Sequence, residues 1–459
     1  MTGMVNNPYK KLIVIVCLLA TLSLAAQVRP GTVRVTVVDP SGAALSDARA
    51  VLNNVASHYE ESATAGEDGD VLFNNVPPGQ YALAIEASGF EVAKKYLSIQ
   101  SDAHLVLNIS MKLARSKALV EVDAKSGLIA PDSTGADTEI TPLRIEQKQG
   151  VGSSHALQQL VATAPGFATE NDGLLHVRGV DDGVLYVLDG VPVMDRIDAL
   201  TGTSPDLSAI RSLNVLTGNI PAEFGGRSGA VVLMEGKSGL ESNWMGSLTT
   251  GAGSFQAAEV SAGAGGNLGK KLGVFVASTF SQSDRFLDPP DPGNFNNHGG
   301  ASKLRIRLDF RPDDRDLFVM NASGSDTDFH VPNTLLQELA GQRQRQRFRN
   351  DEESLSWNRT WSTNTLSNLE YYRQAYDAQL AGSPLDTPLF AAQDRDHVRQ
   401  GVIGNLTHIF HGHTIKTGAS FSRVASQEFF TFAVTDPQTG AQQGFGDNVL
   451  NFDQANPFL

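Results

Sequence analysis

The stretch Lys303-Leu304-Arg305-Ile306-Arg307-Leu308-Asp309-Phe310-Arg311 alternates in chemistry without a break. Leu304, Ile306, Leu308 and Phe310 fall on one parity, and Lys303, Arg305, Arg307, Asp309 and Arg311 on the other. Residues two apart share a face of a strand, so a strand with one greasy and one ionic side is predicted. A soluble sheet gives the same pattern, and the spacing of the neighbouring segments narrows the choice. From residue 243 onward about nine strands are readable by their alternation and turn signals. They centre on 244–250, 256–262, 272–281, 303–311, 316–322, 354–361, 365–376, 398–410 and 414–425. Tight turns at 265–269, 312–315, 362–364 and 411–413 alternate with long polar loops at 284–300, 324–352 and 378–396. The short loop at 251–254 is an exception to that parity. Long loops at one end and tight turns at the other are how a transmembrane β-barrel is built. Residues 243–459 are therefore read as an incomplete antiparallel transmembrane β-barrel, with Trp357, Trp361, Tyr371, Tyr372 and Tyr376 supplying interfacial aromatics.

The chain has 459 residues, of which 41% are hydrophobic, and a formal net charge of −14. That length allows about three or four domains. After the N-terminus no run approaches the ~20 apolar residues of a membrane helix, as expected where only alternate residues face lipid. The negative charge argues against a nucleic-acid partner. Lys10 and Lys11 precede an apolar run over 12–24, then Ala25 and Ala26, which reads as a signal peptide over 1–26. The sole cysteine, Cys17, lies inside that run behind Ile15 and Val16, so the mature chain is expected to carry no thiol. No GxSxG, HExxH or P-loop pattern occurs, and no enzyme activity, catalytic residue or cofactor is expected. His58, His104 and the pair in His411-Gly412-His413 lack the three or four clustered ligands of a zinc site, so no metal site is expected. Arg343, Arg345, Arg347 and Arg349 form an alternating basic run, either a contact for anionic lipopolysaccharide or substrate, or a solvated loop or strand extension.

Residues 31–113 read as a small β-sandwich, with Val33, Val35 and Val37 alternating against Thr32, Arg34 and Thr36. Turn signals recur at Asp39-Pro40-Ser41-Gly42, Glu67-Asp68-Gly69, Pro77-Pro78-Gly79 and Ser88-Gly89. The run Val37-Val38-Asp39-Pro40-Ser41-Gly42, then Gly69-Asp70-Val71-Leu72-Phe73, Val76-Pro77-Pro78-Gly79-Gln80-Tyr81 and Ser88-Gly89-Phe90 resembles the carboxypeptidase regulatory-like domain. That resemblance implies a prealbumin-like sandwich without peptidase chemistry. Residues 114–137 read as a linker holding the β-prone run Leu119, Val120, Glu121 and Val122. Such a segment adds to another protein's sheet edge through its main chain, or simply begins the next domain.

Residues 138–237 read as mixed α/β, with a helix over 151–164 stopped by Pro165-Gly166 and strands at 175–177, 184–188 and 213–216. The blocks His176-Val177-Arg178-Gly179-Val180, Tyr186-Val187-Leu188-Asp189-Gly190-Val191-Pro192-Val193 and residues 213–232, with Gly218, Glu223, Gly225, Gly226, Arg227 and Gly229, resemble the plug domain of TonB-dependent outer-membrane receptors. With the preceding sandwich, the chain resembles the Oar-like branch of that family. Two departures stand out. Asn214 stands where many members have an acidic residue, and the close of the block, usually Gly-Gly-Val followed by Thr-Lys, reads Gly229-Ala230-Val231 and Glu235-Gly236-Lys237.

The resemblance implies a 22-stranded barrel in a Gram-negative-type outer membrane, with the N-terminal domains periplasmic. It also implies an energy-transducing TonB-like partner engaging residues 119–122, contact with outer-membrane lipid and lipopolysaccharide, and an unidentified nutrient ligand. A closed barrel of about 22 strands needs more chain than 243–459 offers, so a truncated product, split gene or fragment is expected. Arg178, Asp189, Glu223 and Arg227 are expected either to pair with the barrel lumen or to orient turns within the plug. Energised import is the leading reading, and an adhesive or structural surface protein of Oar-like type without import is the alternative.

Overall fold

The computed structural model describes residues 31–456 except 55–58, 77–78, 100–103, 114–135, 149–155, 170–174, 182, 194–204, 219, 221–223, 225–228, 241–243, 270, 363, 411–412 and 437–448. The chain is mainly β in three successive regions, and the strands number β1 to β25 in chain order.

The first region holds β1 (Gly31–Val38), β2 (Arg49–Asn54), β3 (Tyr59–Thr64), β4 (Asp70–Val76), β5 (Gly79–Glu86), β6 (Ala93–Ile99) and β7 (His104–Ser110). They form two sheets, β4-β1-β7 and β3-β2-β5-β6, with β7 parallel to β1. Alternation puts Val33, Val35, Val37, Leu52, Phe73, Leu83 and Ile85 between the sheets, where all are buried. On the outer face Arg34 and Thr36 bond the Asp70 carboxylate across the β1–β4 pair.

The second region is α/β. Its main sheet runs β13-β12-β15-β14-β8, from β8 (Ala136–Ile140), β12 (Val184–Leu188), β13 (Val191–Pro192), β14 (Ile210–Thr217) and β15 (Ala230–Gly236). A second sheet joins β9 (Phe167–Thr169), β10 (Leu175–Val177) and β11 (Val180–Asp181). The helix expected over 151–164 is described over Ala156–Val161, with Leu157, Leu160 and Val161 buried as its face requires, and 149–155 lies outside the described residues. A further helix at Pro142–Lys148 was not expected.

The third region is one antiparallel meander of ten strands. These are β16 (Met245–Ala252), β17 (Ala258–Asn267), β18 (Leu272–Ser283), β19 (Gly299–Phe310), β20 (Asp316–His330), β21 (Arg345–Ser362), β22 (Thr365–Ala381), β23 (Leu389–Phe410), β24 (His413–Val434) and β25 (Val449–Asn456). Among the described residues the wall does not close, since β16 and β25 each have one neighbour there. Outward residues Val260, Phe280, Leu304, Ile306, Met320, Leu355 and Leu369 are exposed, whereas Ser261, Arg305, Asp309, Asn321, Ser356 and Glu370 on the other parity are buried. This is the alternation of a wall with lipid outside and protein inside.

Three expectations change. There is a tenth strand, β25, beyond the nine read from the sequence. The loops expected at 324–352 and 378–396 are largely strand, since β20 and β21 reach to His330 and from Arg345, and β22 and β23 to Ala381 and from Leu389. In these extensions polar residues dominate, so the greasy alternation fades while the ladder continues, and Phe329 and Phe348 are buried against Phe286. There the arginine run is spent on neighbours: Arg343 on Glu338, Arg345 on Asp328, and Arg347 and Arg349 on Asp326. Third, Tyr372 is not interfacial. It is buried on the inner face with Ile403, in the cluster that holds Val191 and Val193. Tyr376 also faces inward, 5.9 Å between ring centroids from Phe348. Trp357 and Trp361 do lie outside, in a row Phe310–Phe318–Trp357–Trp361 at the tight-turn end with Arg359 4.5 Å over Trp361.

Ile306→Lys places a charge on the outward face near mid-span. It is expected to destabilise the chain in a lipid bilayer by about 2–4 kcal/mol, against a small effect for Ile306→Leu. Denaturant unfolding in vesicles measures both, and equal effects would contradict the assigned face.

Candidate functional site

The second region is held against the inner face of the wall along a polar seam. Its centre is a tight hairpin: Leu188 pairs with Val191, and Asp189 and Gly190 between them have φ of 49° and 100°. Two positive φ values in a two-residue loop make the turn that matches strand twist, and an Asp-Gly pair suits it. The turn aims the Asp189 side chain at β19. Its Oδ2 accepts from Arg305 Nη2 at 2.6 Å, and its Oδ1 accepts from Arg307 Nη1 at 2.9 Å. Arg305 also donates to Asn321 Oδ1 at 2.9 Å. Arg307 Nε donates to Asp309, whose other oxygen accepts from Ser238 Oγ at 2.7 Å. Two guanidiniums and two carboxylates thus form one neutral, nearly dry cluster. Burial pushes the Asp189 carboxyl up, but the charges of Arg307 and Arg305 outweigh it and hold the group below the usual carboxylate range.

Two further contacts flank this clasp. Asp206 caps the 3-10 turn Leu207–Ala209 by accepting from Ser208 N, and the same oxygen accepts from Thr279 Oγ1 at 3.0 Å. Ala209 packs with Phe275 and Ala277 of β18. On the far side Gln374 Nε2 donates to Pro192 O, beside the Tyr372 and Ile403 contact. Between the contacts lie two cavities of about 20 Å³ each, both lined by Leu188, Arg305, Ser323 and Glu352. Each is large enough for one water. The interface is therefore ionic along one side, with room for single waters beside it, and apolar along the other.

The other residues singled out in the sequence fall differently. Arg178 stays within its own region. With Gly179 it forms the β10–β11 turn, at φ 50° and 78°, and its guanidinium lies over Gly218 with Nη2 3.4 Å from Thr217 O. Gly229 allows close packing, since a Cβ there would stand 2.2 Å from Val177 Cγ1. Glu223, Gly225, Arg227 and the segment Leu119, Val120, Glu121 and Val122 lie outside the described residues. Arg305, Arg307 and Asp309 were visible in the sequence as an ionic face. What the sequence did not supply was their partner, more than a hundred residues earlier.

At the long-loop end, two side-chain amides and a hydroxyl tie the loops together. Asn296 donates to Val331 O at 2.8 Å, Gln344 to Asp386 at 3.1 Å, and Thr435 Oγ1 to Asp386 O at 2.6 Å. Beneath them Phe286, Phe329 and Phe348 are buried together.

The model of the carboxypeptidase regulatory-like domain matches residues 32–112, and that of the TonB-dependent receptor plug domain matches 130–232. The TonB-dependent transporter Oar of Myxococcus xanthus is 22% identical over 187 residues, covering 39% of this chain and 18% of that protein. Among solved structures, the unliganded ferric citrate transporter FecA superposes with a TM-score of 0.53 at 13% identity, over 71% of this chain and 51% of that one. The ferric preacinetobactin receptor BauA of Acinetobacter baumannii gives 0.52 at 14% identity, over 72% and 53%. The copper transporter OprC gives 0.51 at 17% identity, over 67% and 48%. The chain spans about half the length of these structures. At such identities they show the shared fold.

Asp189→Asn removes the clasp's charge and leaves Arg305 and Arg307 buried, so it is expected to weaken the hold of plug on wall by about 3–5 kcal/mol. Because the bound carboxyl lies below its ordinary value of 3.8, its contribution is complete above that value and is lost as pH falls through the lower bound value. Plug release followed by limited proteolysis from neutral pH downward should show an acid transition in the parent chain that Asp189→Asn lacks.

Proposed function

We propose that this chain, which has the regulatory-like sandwich and plug of a TonB-dependent receptor, works as the N-terminal portion of an energised outer-membrane transporter. The wall sits in the outer membrane with its tight turns toward the periplasm. The plug obstructs the lumen, and a scarce nutrient is bound from outside by the amide-stitched loops and the upper surface of the plug. A TonB-like protein then engages the main chain near Leu119, Val120, Glu121 and Val122 and pulls. No bond in the ligand is made or broken on this reading. The work goes into separating a plug held by charge pairs, one hairpin and a few apolar contacts.

The observation that carries the reading is the Asp189 clasp within a matched plug domain. It holds firmly and yet reversibly, because it is non-covalent and confined to a few side chains. Ion pairs in a partly buried lumen support two arrangements, engaged and released. A purely adhesive surface protein would have no use for a releasable plug.

The test is a cysteine at Val120, probed for disulfide formation with cysteines along the periplasmic domain of the host's TonB. Cross-linking is expected, and Val120→Pro with the reporter cysteine moved to Glu121 should reduce it at least about tenfold, since proline removes a strand donor. No cross-link at any of these positions, or an unaffected one with proline present, would overturn energised transport through this segment.

A further inference from the structure

Gly236 is the last residue of β15, a strand position where glycine packs nothing and weakens the element. The chain's path does not call for it, because Gly236 is not among the glycines with positive φ. Its surroundings do. A Cβ there would stand 2.7 Å from Asp189 Oδ2, 3.3 Å from Arg307 Nη1 and 3.4 Å from Arg305 Nη2. All three nearest atoms belong to the clasp, and the first distance is shorter than real Cβ contacts allow. The backbone of Gly236 is also part of the clasp, since its N–H donates to Asp189 Oδ1 at 2.9 Å and its carbonyl accepts from Arg307 Nη1 at 3.2 Å. At this position the carboxylate lies so close to the backbone that a Cβ would collide with it.

We infer that Gly236 is a positioning residue for plug retention: its missing side chain lets Asp189, Arg305 and Arg307 meet at the point where the plug passes into the wall. The departure at Glu235-Gly236-Lys237 and the paired arginines of β19 are then two halves of one device. The inference refines the proposed transporter reading by naming what sets the strength of the hold.

The test is a double-mutant cycle on the full chain in detergent, read by the alkylation rate of a cysteine placed at Ile403. That wall residue is 1% exposed and lies in the cluster shared with the plug. Cys17 is replaced by serine throughout. Gly236→Ala is expected to raise alkylation about tenfold, a mid-range coupling for contacting residues. Asp189→Ala should raise it by a similar factor, and adding Gly236→Ala to Asp189→Ala should change nothing further. If Gly236→Ala costs the same factor in both backgrounds, or misfolds the plug in both, the glycine serves the backbone and the inference fails. It fails too if Gly236→Ala leaves the parent rate unchanged. Because the readout is plug protection, not uptake, an absence of transport would leave this result standing, and the reverse.

Discussion

A carboxylate cannot be left alone in a lumen from which water is largely excluded, and Asp189 shows how that constraint organises the molecule. Burying one charge without partners is prohibitive. The Asp-Gly turn that projects Asp189 therefore requires cations opposite, and β19 presents Arg305 and Arg307. Two arginines against one carboxylate would leave an excess charge, which Asp309 on the same strand takes up. The inward face of β19 is explained by this neutralisation as fully as its outward face is explained by lipid.

The sequence carried the wall well because a strand between lipid and protein writes two chemistries on alternate residues. The same cause sets the limit of the reading. Where β20 to β24 continue past the lipid, polar residues dominate and the segments read as loops, although Arg345 pairs with Asp328 and Arg347 with Asp326 across the ladder. Tyr372 could not be assigned a side by type, because tyrosine suits an interface and a buried contact equally. Its parity with the buried Glu370 was the clue, since Tyr371 lies on the exposed parity. The helix at Pro142–Lys148 offered a proline at its first position but no apolar stripe, so only half of the usual signal was present.

The site was legible in halves. Asp189-Gly190 stood out as part of a family block, and the charges of Lys303–Arg311 stood out as an inner face. Nothing local joins them, because a contact between a turn and a strand so distant in sequence leaves no periodicity. Gly236 shows the same limit: it read as a weakened match at the plug's end, while its function depends on atoms brought from two other elements.

The aromatic row at the tight-turn end fixes the height of everything else on β19. Aromatic rows favour a membrane–water interface, and Arg305 lies five residues further along the same strand from Phe310. At about 3.3 Å per residue this is roughly 16 Å before any tilt, close to half of a ~30 Å apolar slab. The charged cluster therefore lies level with the driest layer on the outer side of the wall. Its members are nearly shielded from solvent, and buried pairs are screened far less than exposed ones, so the strength of the attachment should be largely insensitive to the ionic strength of the medium.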